Sequence, residues 1–213
     1  QQPSASSQNM EGATAIAREL KKLQPNIFTL FVGGHVAALP TETLDKEDSI
    51  DAVCQNEGVY TIHALLSLDR IDDTELKKVP GLVFRDRDSA IIMNVTSPIV
   101  SKDNLETDLP GMAWDLLLPL KHYRTAGWHS WSNNTEKQPF AALYTSLGCP
   151  YKCSFCMINI INRTKQGPNV ASADSNVFRW WSPEFIIKQF DEIARQGVKN
   201  IKIADELFVL TPR

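Results

Sequence analysis

Ala141-Ala142-Leu143-Tyr144-Thr145-Ser146-Leu147-Gly148-Cys149-Pro150-Tyr151-Lys152-Cys153-Ser154-Phe155-Cys156 carries three of the four cysteines of this 213-residue chain. Ala141 to Thr145 is a short, mostly apolar run that predicts a strand, and Ser146 to Cys156 predicts the loop after it. The pattern Cys-x3-Cys-x2-Cys crowds three thiols into one short stretch, while Cys54 stands alone. A disulfide framework would spread and pair its cysteines, so spacing this tight points to metal binding.

Three thiolates from one loop suit a [4Fe–4S] cubane, because each binds one iron and the fourth iron keeps an open position for a ligand. The competing reading is a structural zinc site, which needs a fourth ligand such as Cys54, His122 or His129, or simply three unrelated thiols. Cys54 sits in a mixed segment and reads as a small buried hydrophobe.

Downstream of the loop, Ser182 predicts an N-cap, with Pro183 at the first helical position, a helix to about Arg195, and Gly197 as its stop. Asn200 to Ala204 is the next strand, with Asp205-Glu206 at its C-terminal end. The order strand, loop, helix, strand is the opening of a parallel barrel, a fold whose sites gather at the C-terminal ends of strands. Asp205 and Glu206 are therefore candidate site residues; a solvated turn pair is the plainer reading. Arg179-Trp180-Trp181 reads as packing at the helix entry, with Arg179 able to meet a carboxylate or phosphate, and Lys152 and Arg163 as solvated or steering charges.

Upstream lies a different α/β unit. Residues 11–23 place Ile16, Leu20 and Leu23 at helical spacing, and Ile27 to Val32 is a continuous apolar run typical of a buried parallel strand. It runs into Gly33-Gly34-His35, which predicts a tight turn after the strand, with His35 as a turn residue. Helices are expected over Thr41–Asp48 and Thr61–Leu68, a strand at Ala52–Cys54 and a turn at Gly58–Tyr60. A hairpin is expected from Val79–Arg85 and Ala90–Asn94. Residues 96–139 are rich in Pro, Asp, Ser and Asn and read as a connector anchored by Trp114, Tyr123, Trp128 and Trp131.

Composition is that of an ordinary soluble domain, 43% hydrophobic and 22% charged. The net charge of -3 argues against nucleic acid as a partner, and no apolar run is long enough for a membrane span or reads as a secretion signal. A cytoplasmic location is expected. Both ends read as cuts through a longer protein.

The cysteine pattern after a strand, with an aromatic (Phe155) just before the last cysteine, resembles the radical S-adenosylmethionine superfamily. The order of motifs along the rest of the chain is similar to that of its cobalamin-dependent branch. Ser4-Ala5-Ser6 precedes Gly33-Gly34 by 26 residues, Ser7 to Val32, like the Ser-x-(Leu/Thr) and Gly-Gly elements of cobalamin-binding domains, although Ser6 departs from that pattern. Val79-Pro80-Gly81-Leu82, Asp108-Leu109-Pro110, Trp114-Asp115 and Tyr123 then follow in the family's order.

The resemblance implies an α/β chain: part of a doubly wound, Rossmann-like cobalamin-binding domain over residues 1–95, a connector over 96–139, and the first β-α-β of a partial barrel over 140–213. It implies that Cys149, Cys153 and Cys156 hold a [4Fe–4S] cluster and that Phe155 sits near the adenine of S-adenosylmethionine. Asp205 or Glu206 would contact the cofactor's amino group, where many members have Gly-Gly-Glu. Ser4, Ser6, Gly33 and Gly34 would approach cobalamin. The reaction implied is reductive cleavage to a 5′-deoxyadenosyl radical followed by methyl transfer or ring closure at an unactivated carbon of a small molecule, with flavodoxin or ferredoxin as electron donor. A radical enzyme without cobalamin, such as a methylthiotransferase, would need three more cysteines for a second cluster. A non-catalytic metal-binding interaction module is the other alternative. These 213 residues are expected to be inactive alone.

Overall fold

The computed structural model describes residues 9–125, 138–163 and 177–208. It is mixed α/β and divides into two compact units, Gln1–Ile99 with Pro150–Val177, and Val100–Cys149 with Phe178–Arg213. Among the described residues no helix is long and apolar enough to cross a membrane.

The first unit is built on a four-stranded sheet in the order β1-β2-β3-β4, from β1 (Leu30–Phe31), β2 (Ala52–Cys54), β3 (Leu82–Arg85) and β4 (Ile91–Met93). β1 and β2 are parallel, and the β3–β4 hairpin extends the sheet antiparallel to β2. The helices are α1 (Met10–Leu23), α2 (Gly34–Ala38), α3 (Pro40–Lys46), α4 (Val59–Leu66) and α5 (Asp73–Leu76). Strand side chains alternate between two cores. Val53 and Val83 pack with Val36 and Leu44 of α2 and α3 on one face. Ala52, Leu82 and Phe84 pack with Leu65 of α4 and Leu76 of α5 on the other. β1, at the edge of the sheet, is partly buried on both faces, with Phe31 against the first core and Phe28 and Leu30 against the second, which matches the apolar run of Ile27 to Val32. Asp51, just before β2, fixes the start of the sheet: its carboxylate accepts from the Thr29 backbone N–H at 2.6 Å and from Lys21 Nζ of α1 at 2.7 Å.

In the second unit, β6 (Gln138–Leu143) is paired in parallel with β9 (Asn200–Ile203) and antiparallel with the two-residue β5 (Arg124–Thr125). Between β6 and β9 run β7 (Ser146–Gly148), β8 (Phe178–Trp180) and α7 (Pro183–Arg195), with β7 and β8 antiparallel partners. Ser182 caps α7 by accepting from the Phe185 N–H at 3.2 Å, and its own N–H donates to Glu106 of α6 (Leu105–Asp108), 76 residues earlier in the chain. Ile193 on the inner face of α7 closes a core with Trp114, Leu120, Ala141 and Val198. Of the residues expected to form a connector, 96–99 fall in the first unit, and 100–125 with 138 and 139 in the second. Trp114 and Tyr123 are part of the second unit's core, as anchored aromatics should be; Trp128 and Trp131 lie outside the described residues.

Three expectations change. The Gly58–Tyr60 turn is shorter than expected, because left-handed Gly58 caps a helix that begins at Val59. Gly33-Gly34-His35 is more than a turn: it opens the short helix α2. The pairing of β7 with β8 was not anticipated, since three residues containing a glycine carry no readable alternation.

Candidate functional site

In the second unit the site residues stand at the C-terminal ends of two adjacent parallel strands, with Leu143 of β6 in register with Ile203 of β9. The residues just past these ends are Tyr144-Thr145-Ser146 and Ala204-Asp205-Glu206, so the register places them side by side. The two carboxylates there are not equivalent. Asp205 Oδ1 accepts from the Thr145 backbone N–H at 2.7 Å, and Oδ2 accepts from the Thr145 hydroxyl at 2.5 Å and the Ser146 hydroxyl at 2.7 Å. Glu206 Oε2 is buried and has no hydrogen-bond partner among the described residues. Burial, and then the neighbouring Asp205 charge, push the Glu206 carboxyl above its ordinary pKa. Burial and these two carboxylates likewise raise the Tyr144 phenol, which is partly exposed beside them.

From this anchored point the chain runs through β7 to Gly148, whose φ of 83° turns it in a conformation that favours glycine, and then to Cys149. Cys149 and Cys156 are partly exposed and Cys153 is exposed, and none of the three is in a disulfide. Phe155 is 90% exposed, a large apolar ring standing in solvent. Cys54 is buried and its thiol is pushed up to about 12 by that burial, which keeps it protonated. Lys152 is exposed, as a solvated charge should be.

Cys153 and Cys156 belong to the first unit, where the Cys156 N–H donates to the Cys153 carbonyl at 3.1 Å. The short 3-10 helix Ile158–Asn162 that follows packs on α2. A side chain added at Gly34 would touch Met157 Cε at 3.9 Å. Gly33, with φ 137°, lets β1 turn into α2 at this place. The glycine turn at the end of β1 is thus packed against the arm of the cysteine loop. This juxtaposition was not legible in the sequence, where the two segments are more than a hundred residues apart.

Arg163 secures that arm. It is fully buried, and its Nε donates to the Gln55 carbonyl just past β2 at 2.7 Å. Asn56 Nδ2 in turn donates to the Arg163 and Ser97 carbonyls. This corrects the reading of Arg163 as a solvated or steering charge: it is a buried tie between the loop arm and the end of the sheet. Arg179, also buried, donates to the Val100 carbonyl at 2.6 Å. Trp181 packs by stacking on Phe185, with its indole N–H on the Leu109 carbonyl. Trp180 is partly exposed, and the Lys102 ammonium lies 3.5 Å from its ring centroid. Ser4 and Ser6 lie outside the described residues.

Among the described residues no three His, Cys, Asp or Glu side chains are gathered into a metal site. The donor set nonetheless has the chemistry of an iron–sulfur loop: three thiols, accessible and outside any disulfide, on one short segment that supplies no fourth ligand. The set fits a cluster with an open iron better than a closed tetrahedral zinc site, which needs four ligands.

No protein-family model matches the chain. An uncharacterised methyltransferase of Pyrococcus horikoshii is 26% identical over 216 residues, 98% of this chain and 40% of the relative. The cobalamin-dependent radical S-adenosylmethionine methyltransferase TokK of Streptomyces tokunonensis is 25% identical over 206 residues, 96% of this chain and 27% of the relative. Among solved structures, the cobalamin-dependent S-adenosylmethionine radical enzyme OxsB, with aqua-cobalamin and S-adenosylmethionine bound, superposes with a TM-score of 0.61 at 21% identity. That match covers 97% of this chain and 25% of OxsB, and shows the fold. The chain therefore spans 40% or less of the length of these relatives. With relatives aligned along nearly its whole length, the chain is a homologue of cobalamin-dependent radical S-adenosylmethionine methyltransferases and shares the fold of OxsB.

Proposed function

We propose that the protein containing this chain is a cobalamin-dependent methyltransferase acting on a small molecule, and that Cys149, Cys153 and Cys156 hold its [4Fe–4S] cluster. The observation that carries this reading is the packing of the cysteine-loop arm, at Met157, on the Gly33-Gly34 turn. One compact unit carries both this glycine turn, which would face cobalamin, and Cys153 and Cys156, which would bind the cluster. When bound, these groups supply an electron for reductive cleavage of S-adenosylmethionine and a methyl group for transfer.

The chain's own residues bind and orient. Three thiolates on one loop leave one iron open to the amino-acid end of S-adenosylmethionine. Glu206 accepts from its ammonium, since its buried oxygen has no other donor and a charge-assisted bond there offsets the cost of burial. Phe155 offers its exposed ring to the adenine. Gly33 and Gly34 keep the backbone open to cobalamin, with Ser4 and Ser6 beside its buried tail. Residues 1–95 belong to the cobalamin-binding part, 96–139 to the segment between, and 140–213 to the start of the barrel. Flavodoxin or ferredoxin is the electron donor.

Anaerobic purification and iron–sulfur reconstitution of the full-length protein, followed by incubation with S-adenosylmethionine and a reductant, tests this reading. It should retain cobalamin and form methionine and 5′-deoxyadenosine. Zinc in place of iron, or loss of cobalamin on gel filtration with no cleavage, would contradict it.

A further inference from the structure

The structure assigns to Asp205 the role of a positioning residue for the first cysteine, rather than that of a group touching S-adenosylmethionine. The inference rests on the cluster reading and divides the work of the strand-end pair. A carboxylate has about four lone-pair sites, and Asp205 fills three of them with the Thr145 N–H, the Thr145 hydroxyl and the Ser146 hydroxyl. All three donors lie in the two residues where the chain leaves β6 for the cysteine loop. Ser146 is buried, opens β7 and is paired with Trp180, so its position is held from both sides. Gly148 and Cys149 follow directly. The end of β9 thereby sets where the loop departs. The next residue, Glu206, keeps a buried oxygen with no donor among the described residues and stays available to a ligand.

The chemistry of the Asp205 contacts supplies a discriminating variant. In D205N the amide oxygen still accepts from the Thr145 N–H, and the amide nitrogen donates to the two hydroxyls, which turn to accept. The clamp survives while the charge is gone. In D205A the clamp is lost. A ligand contact through charge would fail in both.

The test uses the full-length protein in two arms. In the first, the cluster-free, reduced protein is alkylated with iodoacetamide and the rate at each cysteine is read by mass spectrometry, with Cys153 as internal reference. The ratio of Cys149 to Cys153 rates should change several-fold in D205A and stay near wild type in D205N. If D205A does not fold, S146A, which removes one of the three bonds, should shift the ratio in the same direction by less. In the second arm, S-adenosylmethionine binding to the reconstituted protein is measured by equilibrium dialysis. D205N should bind nearly as wild type, while E206Q should lose about tenfold or more, the worth of a charge-assisted hydrogen bond.

An unchanged cysteine ratio in D205A and S146A would overturn the inference. So would a loss in D205N as large as that in E206Q. If the wild type takes up no iron, the cluster reading fails, and the alkylation arm still decides what Asp205 does.

Discussion

Glu206 carries a penalty in the ligand-free protein that can be read in its stability. Its folded pKa is raised, first by burial and then by Asp205. Between the ordinary carboxylate pKa and the raised one, the native state holds a proton that the unfolded chain has released, so stability falls as pH rises through that window. E206Q should therefore raise the thermal unfolding midpoint at pH 7, and the gain should vanish below the ordinary carboxylate range, even as ligand binding is lost. A lower midpoint at pH 7 would mean that the carboxylate has a partner worth more than its burial costs. Cys54 gives a second contrast. With its thiol at about 12 and its side chain buried, it should resist thiol reagents in the native protein while the three loop cysteines react. The three thiols and the acidic pair were legible at this scale because their types and spacing are local. The roles of Arg163 and Arg179 were not, because burial of a guanidinium is decided by segments distant in the sequence.

Elements were legible in proportion to their length and the strength of their punctuation. α7 was readable from Ser182, Pro183 and Gly197, and the cap is in place. S182A should destabilise the second unit by about 1 kcal/mol, measurable by urea unfolding. The hairpin of β3 and β4 was equally plain, with its polar turn between apolar runs. By contrast α2, α5 and β7 span five residues or fewer, and tertiary partners rather than propensity hold them. Gly148 illustrates the link from such an element to the site. Its positive φ lies one residue before Cys149, so G148A should cost about 1–3 kcal/mol of strain and also disturb cluster assembly. Iron content after reconstitution, compared with that of S182A, separates the two effects.

At the scale of the whole chain, α/β character was expected and is present, and the strand–helix–strand segment forms a parallel pair. Two features were not legible. The hairpin adds antiparallel strands to a sheet begun as parallel, and residues 150–163 join the first unit although they follow strands of the second. Both depend on pairing across long separations, which periodicity cannot report. Ile193 in the second unit's core with Trp114, Leu120, Ala141 and Val198 is completely buried. I193A should cost about 2–5 kcal/mol, seen as a lowered denaturant midpoint, while leaving Arg163 and the glycine turn of the first unit undisturbed. The claim on which the account depends most is that the loop cysteines hold a cluster with one open iron. Electron paramagnetic resonance of the anaerobically reconstituted, reduced full-length protein, with and without S-adenosylmethionine, tests it most directly. The account predicts a reduced [4Fe–4S] signal that changes on adding S-adenosylmethionine, is absent from C149A, C153A and C156A, and persists in C54A. A signal indifferent to S-adenosylmethionine, or one that survives loss of any of the three loop cysteines, would contradict it.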